Sequence, residues 1–397
     1  MAGVVLLFAG LAAAQTPPRL TLDEVIDLAL AHSHTLKATR TQIDQSKAQE
    51  TTAALRPNPN LSGDTLYVPI FTPSDLTTDT LSTLTEFDVG ASYLIERGKK
   101  RQRRIDAARD ATTVTRDQVS DAERQLIVSV AQQFVQAQLA QSTLDFAQQD
   151  LDSFQQTVKI SEEQYRVGDI SEGDILKIKL QLLQFQTDVS SARVAKVQAL
   201  GSLRQLLGFD AVPADYQISE EFSYQPIHLN LDDLLARSLK SRPDLLAAQD
   251  GIRAAQSQVA LAKANGKVDV TAGVTYSHVS DESLLGASFS VPLPVFDRNQ
   301  GEIARTRFAV TQAQETANAA SEQVLTDVRN NYEAFQTNKE IVELYTSGYL
   351  KQAQDSRDIS QYAYKRGAAS LLDSLDAAIR SRLGICWSGH PTDSRSR

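Results

Sequence analysis

Carboxylates at helical spacing are the residues of this chain best placed to do chemistry. Asp373 and Asp376 stand three apart, so on a helix they share one face. Asp174 sits in a matching context earlier in the chain, with Lys177 where the second acid would stand. On spacing alone, two such acids are either a cation-attracting pair or a solvated helix face. The five histidines, His32, His34, His228, His278 and His390, each lack a neighbouring ligand cluster. His32 and His34 differ by two and would point apart on a helix. The one cysteine, Cys386, allows neither an intramolecular disulfide nor a cysteine-based metal site. No P-loop or dinucleotide fingerprint occurs. The expectation is no enzyme, no cofactor and no resident metal, so energy for any work must come from a partner.

A basic run follows Gly98: Lys99, Lys100, Arg101, Arg103 and Arg104. The chain as a whole is acidic, with 49 Asp+Glu against 40 Lys+Arg and a net charge of −9. That balance argues against a nucleic-acid partner. Two readings of the run stay open: a solvated helix start, or contact with anionic headgroups.

The elements that must position these residues are long. From Lys99 to Val167, 69 consecutive residues contain neither Gly nor Pro. At about 1.5 Å per residue, a continuous helix there would span roughly 100 Å. Val130, Ala137, Leu144, Leu151, Val158 and Tyr165 recur every seven residues, and Phe134, Ala147 and Phe154 fill the offsets between them. That is a coiled-coil-like seam. A second rod is expected from Glu302 to Arg366, interrupted only by Gly348. Gly168 and Gly367 are placed to close the rods, because glycine tolerates positive φ.

Four segments alternate with period two. In one, Val268, Val270, Ala272, Val274 and Tyr276 share a face opposite Asp269, Thr271, Gly273, Thr275 and Ser277. Leu285 to Leu293, Phe87 to Tyr93 and, more weakly, Leu61 to Ile70 follow the same pattern. About ten residues is the length of a membrane β-strand. A soluble sheet with one buried face fits the periodicity equally well. If the strands lie in lipid, they must close into a barrel, and four are too few. Two chains would give eight strands, and three would give twelve with room for a channel.

The chain repeats itself. Leu22-Asp23-Glu24-Val25-Ile26 recurs as Leu231-Asp232-Asp233-Leu234-Leu235, and Gly90-Ala91-Ser92-Tyr93 as Gly286-Ala287-Ser288-Phe289. Tyr165-Arg166-Val167-Gly168 recurs as Tyr364-Lys365-Arg366-Gly367. Each half reads helix, two strands, long helix, Gly turn, helix. Val4 to Ala14 is apolar and ends in an Ala-rich run, as a secretory signal does, although the basic segment that should precede it is absent. The expected organisation is a signal peptide at 1–14, a first repeat at 15–212, a linker at 213–229, a second repeat at 230–379 and an aberrant tail at 380–397.

These features together resemble the TolC-type outer-membrane efflux factors, over about Leu20 to Ala378. Pro292-Leu293-Pro294-Val295-Phe296-Asp297-Arg298-Asn299-Gln300-Gly301 carries the resemblance most specifically. With Ile95-Glu96-Arg97-Gly98-Lys99-Lys100-Arg101, it is similar to the branch serving heavy-metal exporters of the resistance-nodulation-division class. The resemblance implies an α+β, mostly α fold with internal duplication. It implies a trimeric twelve-stranded outer-membrane β-barrel, four strands per chain, continued by a long periplasmic α-helical barrel of helical hairpins. The implied partners are two further copies, a periplasmic adaptor, a proton-driven inner-membrane pump reached through it, and outer-membrane lipid. The implied function is the passive exit duct of a tripartite efflux system, for heavy-metal cations. The alternatives are a duct for type I secretion or drug export, and a periplasmic coiled-coil adaptor or scaffold.

By the same resemblance, Tyr165, Arg166, Val167, Gly168, Tyr364, Lys365, Arg366 and Gly367 would be adaptor-contacting tips. Asp373, Asp376 and Asp174 would form a pore gate. Asp297, Arg298, Asn299, Gln300 and Gly301 would turn the chain from strand into rod, a task assigned in the first half to Gly98 alone. After Ala378 the sequence departs from the family pattern, as a frameshifted or recombined gene end would make it. The final helix, roughly 45 Å at 1.5 Å per residue, would then be missing.

Overall fold

A computed structural model describes residues 19–66, 77–79, 86–219, 224–279 and 282–366. The expected signal peptide, the last residues of the first strand, Gly367, Asp373, Asp376 and the tail lie outside them. The described chain is mostly helical with a smaller β component. It divides into two compact units.

The first unit gathers residues 19–37, 122–230 and 329–366. Strand β1 (Arg19–Leu20) leads into helix α1 (Leu22–His32). Thr21 caps that helix: its Oγ1 accepts from Glu24 N–H, while Glu24 Oε2 accepts from Thr21 N–H at 2.8 Å. Helix α3 (Lys100–Val167) runs 68 residues without a break, and α4 (Glu172–Leu207) returns along it. The heptad seam is buried from Val130 to Val158, with Leu151 at its margin, while Tyr165 at its end is exposed. Val130, Phe134 and Ala137 pack with Val25, Ala29, Leu203 and Leu207. Further along, Leu144 and Ala147 meet Val189 and Ala192, and Phe154 and Val158 meet Ile178. The Phe154 and Phe185 rings lie 4.7 Å apart. Strand β4 (Gln217–Ile218) pairs in parallel with β1, a pairing the sequence did not announce. Beside it Tyr216 is buried, and its hydroxyl donates to the Leu200 carbonyl at 2.7 Å.

The second unit gathers residues 38–121 and 231–328. It holds most of α2 (His34–Ala54), then α5 (Leu231–Ser241), α6 (Pro243–Asn265) and the first part of α7 (Gln300–Leu344). Four strands, β2 (Asn60–Leu66), β3 (Glu86–Ile95), β5 (Val270–Val279) and β6 (Glu282–Ser290), form one antiparallel sheet in the order β2-β3-β5-β6. In register, Val89 faces Tyr276 and Tyr276 faces Leu285, while Gly90 faces Thr275 and Thr275 faces Gly286.

Two expectations need correction. Each half was expected to open with one helix, but both helices break, at Ser33 and at Arg242. Arg242 precedes Pro243, whose ring disfavours helical backbone at the residue before it. Ser33 takes ψ 117° and accepts from Leu36 N–H, so it starts a new helix, and His32 and His34 end up on different ones. The second rod is interrupted at Gly348, as expected. After α7 comes a five-residue π turn, Tyr345–Tyr349, where Gly348 sits at φ 138°; α8 (Leu350–Lys365) follows. Finally, the fourth strand ends at Ser290 rather than Leu293, because Pro292 and Pro294 have no amide to give the ladder.

Candidate functional site

The sheet leaves its apolar face open. On β3, β5 and β6, Phe87 is 52% exposed, Val274 54%, Leu285 82% and Phe289 83%. The opposite face holds Ser62, Gly90, Ser92, Gly273, Thr275 and Ser288, and of these Gly90 is buried outright. Ser62 Oγ donates to the Gly90 carbonyl at 3.4 Å across that face. Small residues there let neighbouring strands crowd together on the polar side. Among the described residues, β2 and β6 each have a strand neighbour on one side only.

The turns from strand to helix are stitched by their own side chains. Lys99 at φ 60° and Asn299 at φ 62° stand immediately before α3 and α7, and their carbonyls accept from Arg103 and Ile303 N–H at 3.0 Å. Gly98 therefore does not act alone: Lys99 shares the left-handed backbone, and Gly98 at φ 71° leaves no room for a Cβ beside Lys267. In the second turn, Asp297 Oδ1 accepts from Asn299 N–H at 2.7 Å, and Gln300 Oε1 accepts from Arg298 N–H at 2.8 Å. Arg298 Nε donates to the Pro294 carbonyl at 3.1 Å, and Asn299 Nδ2 to the Ala262 carbonyl at 2.7 Å. Gly301 is simply part of α7.

The basic run divides between tasks. Lys100 is buried and its Nζ sits 2.7 Å from Asp269 Oδ2. Burial raises the Asp269 carboxyl, but the bonds from Lys100 and from Arg97 N–H hold it below its ordinary value. Arg104 pairs with Glu96 and donates to the Leu55 carbonyl at 3.2 Å, while Arg101 donates to the Ala54 carbonyl at 2.5 Å. Two of these arginines thus satisfy the free carbonyls at the end of α2. Three of the run's five cations are engaged within the fold, so neither reading covers the whole run, and both stay open for Lys99. Asp269, the acid that neutralises Lys100, was visible only as a polar position of a strand.

At the hairpin tip, Gly168 takes φ 87°, its N–H donates to the Tyr165 carbonyl at 3.1 Å, and Asp169 N–H donates to the Gln164 carbonyl at 2.9 Å. This is a Schellman closure, which needs a residue indifferent to positive φ. Tyr165 and Val167 are exposed on it, and Arg166 pairs with Glu163 at 2.7 Å. Asp174 lies in the first turn of α4. Its Oδ2 accepts from Ser171 Oγ at 2.7 Å and its Oδ1 lies 3.3 Å from Lys177 Nζ. The Ser171 bond and then Lys177 lower its pKa. Tyr364 and Lys365 end α8.

Among the described residues no group of three or more His, Cys, Asp or Glu could hold a metal ion, and no helix is long and apolar enough to cross a membrane. One acidic contact was missed from sequence: Asp117 on α3 meets Asp250 on α6, and Asp117 Oδ2 is sheltered with no donor. Nothing in a single chain's pattern could have paired residues so far apart.

Comparison with known proteins adds the last observations. A sequence model described as outer membrane efflux protein matches residues 25–209 and 234–382. The cobalt-zinc-cadmium resistance protein CzcC of Cupriavidus metallidurans is 22% identical over 365 residues, 90% of this chain and 83% of that protein. The cation efflux system protein CusC of Escherichia coli K12 is 24% identical over 315 residues, 75% of this chain and 67% of that protein. In fold, the crystal structure of the outer membrane protein VceC from Vibrio cholerae superposes with a TM-score of 0.73 at 18% identity, covering 93% of this chain and 91% of that one.

Proposed function

We propose, from the premise that the chain belongs to the outer membrane efflux protein family, that three copies of it enclose an exit duct across the outer membrane. The protein is an outer-membrane efflux component, and its family is one of passive ducts rather than enzymes. The observation that carries the trimer reading is the exposed apolar face of the sheet, with β2 and β6 each lacking a second strand neighbour among the described residues. Backbone in lipid must be paired, so the edges of one copy join those of another. Three copies give about twelve strands, enough to surround an aqueous lumen. The helices α3, α4, α7 and α8 continue that lumen into the periplasm.

The internal duplication is part of this reading. Leu22 and Leu231 open equivalent helices, and the breaks at Ser33 and Arg242 fall at matching positions. So do the left-handed residues Lys99 and Asn299. We keep the division into signal peptide, two repeats joined at 213–229, and a separate tail. The tips Tyr165, Arg166, Val167 and Gly168, with Tyr364, Lys365, Arg366 and Gly367, meet a periplasmic adaptor, which links the duct to a proton-driven inner-membrane pump. Asp373 and Asp376, with Asp174 nearby, ring the periplasmic entrance and attract cations. The names of CzcC and CusC favour heavy-metal cations as cargo over a drug or a secreted protein. A family match over most of the chain leaves no support for the adaptor reading.

The test is expression of the full chain in a strain deleted for its efflux operon. The expected result is an outer-membrane fraction holding the protein and restored growth on cobalt, zinc or cadmium salts when adaptor and pump are present. A cytosolic chain overturns the duct, and restored resistance to drugs alone overturns the cargo.

A further inference from the structure

Three turns of the second unit meet at one rim of the sheet. Lys267, in the turn from α6 to β5, packs its side chain over Gly98. The Arg298 carbonyl comes within 2.6 Å of where a Cβ on Gly266 would lie, and Asn299 is tied to Ala262. These contacts gather Arg97, Lys99, Lys267 and Arg298, all exposed, around one edge. Among the described residues, none of the four pairs with an acid. Of the acids on the same turns, Asp269 pairs with Lys100, Glu96 with Arg104, and the exposed Asp297 accepts from Asn299 N–H.

Beside these cations stands an apolar ledge. Leu293 is 81% exposed, Val295 62% and Phe296 91%, on a segment held by the Arg298 and Gln300 bonds to the Pro294 and Phe296 carbonyls. A hydrophobic ledge held rigidly in water would be costly without a cover. The opposite end of the sheet has the other sign. Glu86 and Glu282 start β3 and β6 there, and Asp64 lies opposite Asp88 one step further in. Among the described residues, the cations of the sheet's ends that lack an acid partner stand at the helix end.

We infer that this rim binds anionic phospholipid headgroups, with Arg97, Lys99, Lys267 and Arg298 on the phosphates and Leu293, Val295 and Phe296 among the acyl chains just below. The inference rests on the outer-membrane reading above. Apolar side chains entering the hydrocarbon boundary while cations meet an anionic surface is the general form of an interfacial anchor. A nucleic acid offers phosphates but nothing to cover Phe296, so a lipid surface is the partner that answers both halves of the rim.

The test uses the full chain extracted in detergent and titrated with phosphatidylglycerol or phosphatidylcholine in mixed micelles, with retained lipid measured by native mass spectrometry. Expected is a phosphatidylglycerol preference of at least tenfold at low salt that shrinks as salt screens the charges. The triple variant R97Q/K99Q/K267Q should lose most of that preference. F296S should weaken both lipids without changing the preference. A control, K37Q/R193Q/K351Q, removes three exposed cations elsewhere and should leave the preference intact. Equal binding of both lipids by the unaltered chain overturns the inference, as does an unchanged preference in the rim variant or an equal loss in the control. If the chain fractionates with the outer membrane and still fails here, only the rim is wrong; a cytosolic chain removes both readings.

Discussion

Asp117 and Asp250 illustrate how one contact ties folding to pH. Burial, then the hydrogen bond and charge of Asp250, push the Asp117 carboxyl above its ordinary value, against the pull of Arg253. The groups that act on it are thus Asp250 and Arg253, both on α6. A raised carboxyl means the folded chain binds its proton more tightly than the unfolded one. This unit therefore loses stability as pH rises from the ordinary aspartate range through the raised value. Asp117→Asn keeps the hydrogen bond and removes the charge. It should raise stability at pH 7.5 by ~1 kcal/mol and flatten the pH dependence, read from thermal unfolding between pH 4.5 and 7.5. No stabilisation would mean the two acids are solvated apart. The proposed gate is tested at the same scale. Asp373→Asn with Asp376→Asn should weaken block of single-channel current by divalent cations, and unchanged block would make them ordinary surface.

Helices α3 and α4 depend on one residue to turn between them. Valine at Gly168 would meet the left-handed penalty of roughly 1–2 kcal/mol. We expect Gly168→Val to speed amide exchange across residues near the tip and to leave the core around Phe134 unchanged; equal exchange rates would place the turn's stability elsewhere. The seam itself should be far less tolerant. Phe154→Ala removes a ring packed on Phe185 and should cost ~3 kcal/mol or more, read as a lowered midpoint in thermal unfolding. Phe308→Ala, at a position 75% exposed, should be close to neutral in the isolated chain. If the two variants unfold alike, the α3–α4 seam is not what holds this region together.

The whole assembly should reveal itself through the sign of the sheet. Phe289→Asp places a charge on the exposed apolar face, where a bilayer would have to take it out of water. Ser288→Asp puts the same charge on the polar face one residue away. We expect the first to block insertion into the outer membrane and the second to be tolerated, as judged by heat-modifiable migration and fractionation. The reverse order would describe a soluble sheet. Mass measurement in detergent should give a multiple of three chains.

Much of this architecture was legible in the residues because it rests on short periods. A seven-residue seam from Val130 to Tyr165 can only be buried along one side of a helix, and the strand alternation fixes two unlike faces. Glycine at 168 announced the tip because few other residues accept that backbone. What stayed hidden depends on residues distant in sequence meeting in space. No local pattern pairs Lys100 with Asp269, brings β1 beside β4, or sets Asp117 against Asp250. Alternation likewise names two faces without saying which one is exposed. That choice belongs to the folded sheet, where β3 lies between β2 and β5, Phe87, Val274 and Phe289 stand exposed on one face, and Gly90 and Gly273 leave no room for a Cβ on the other.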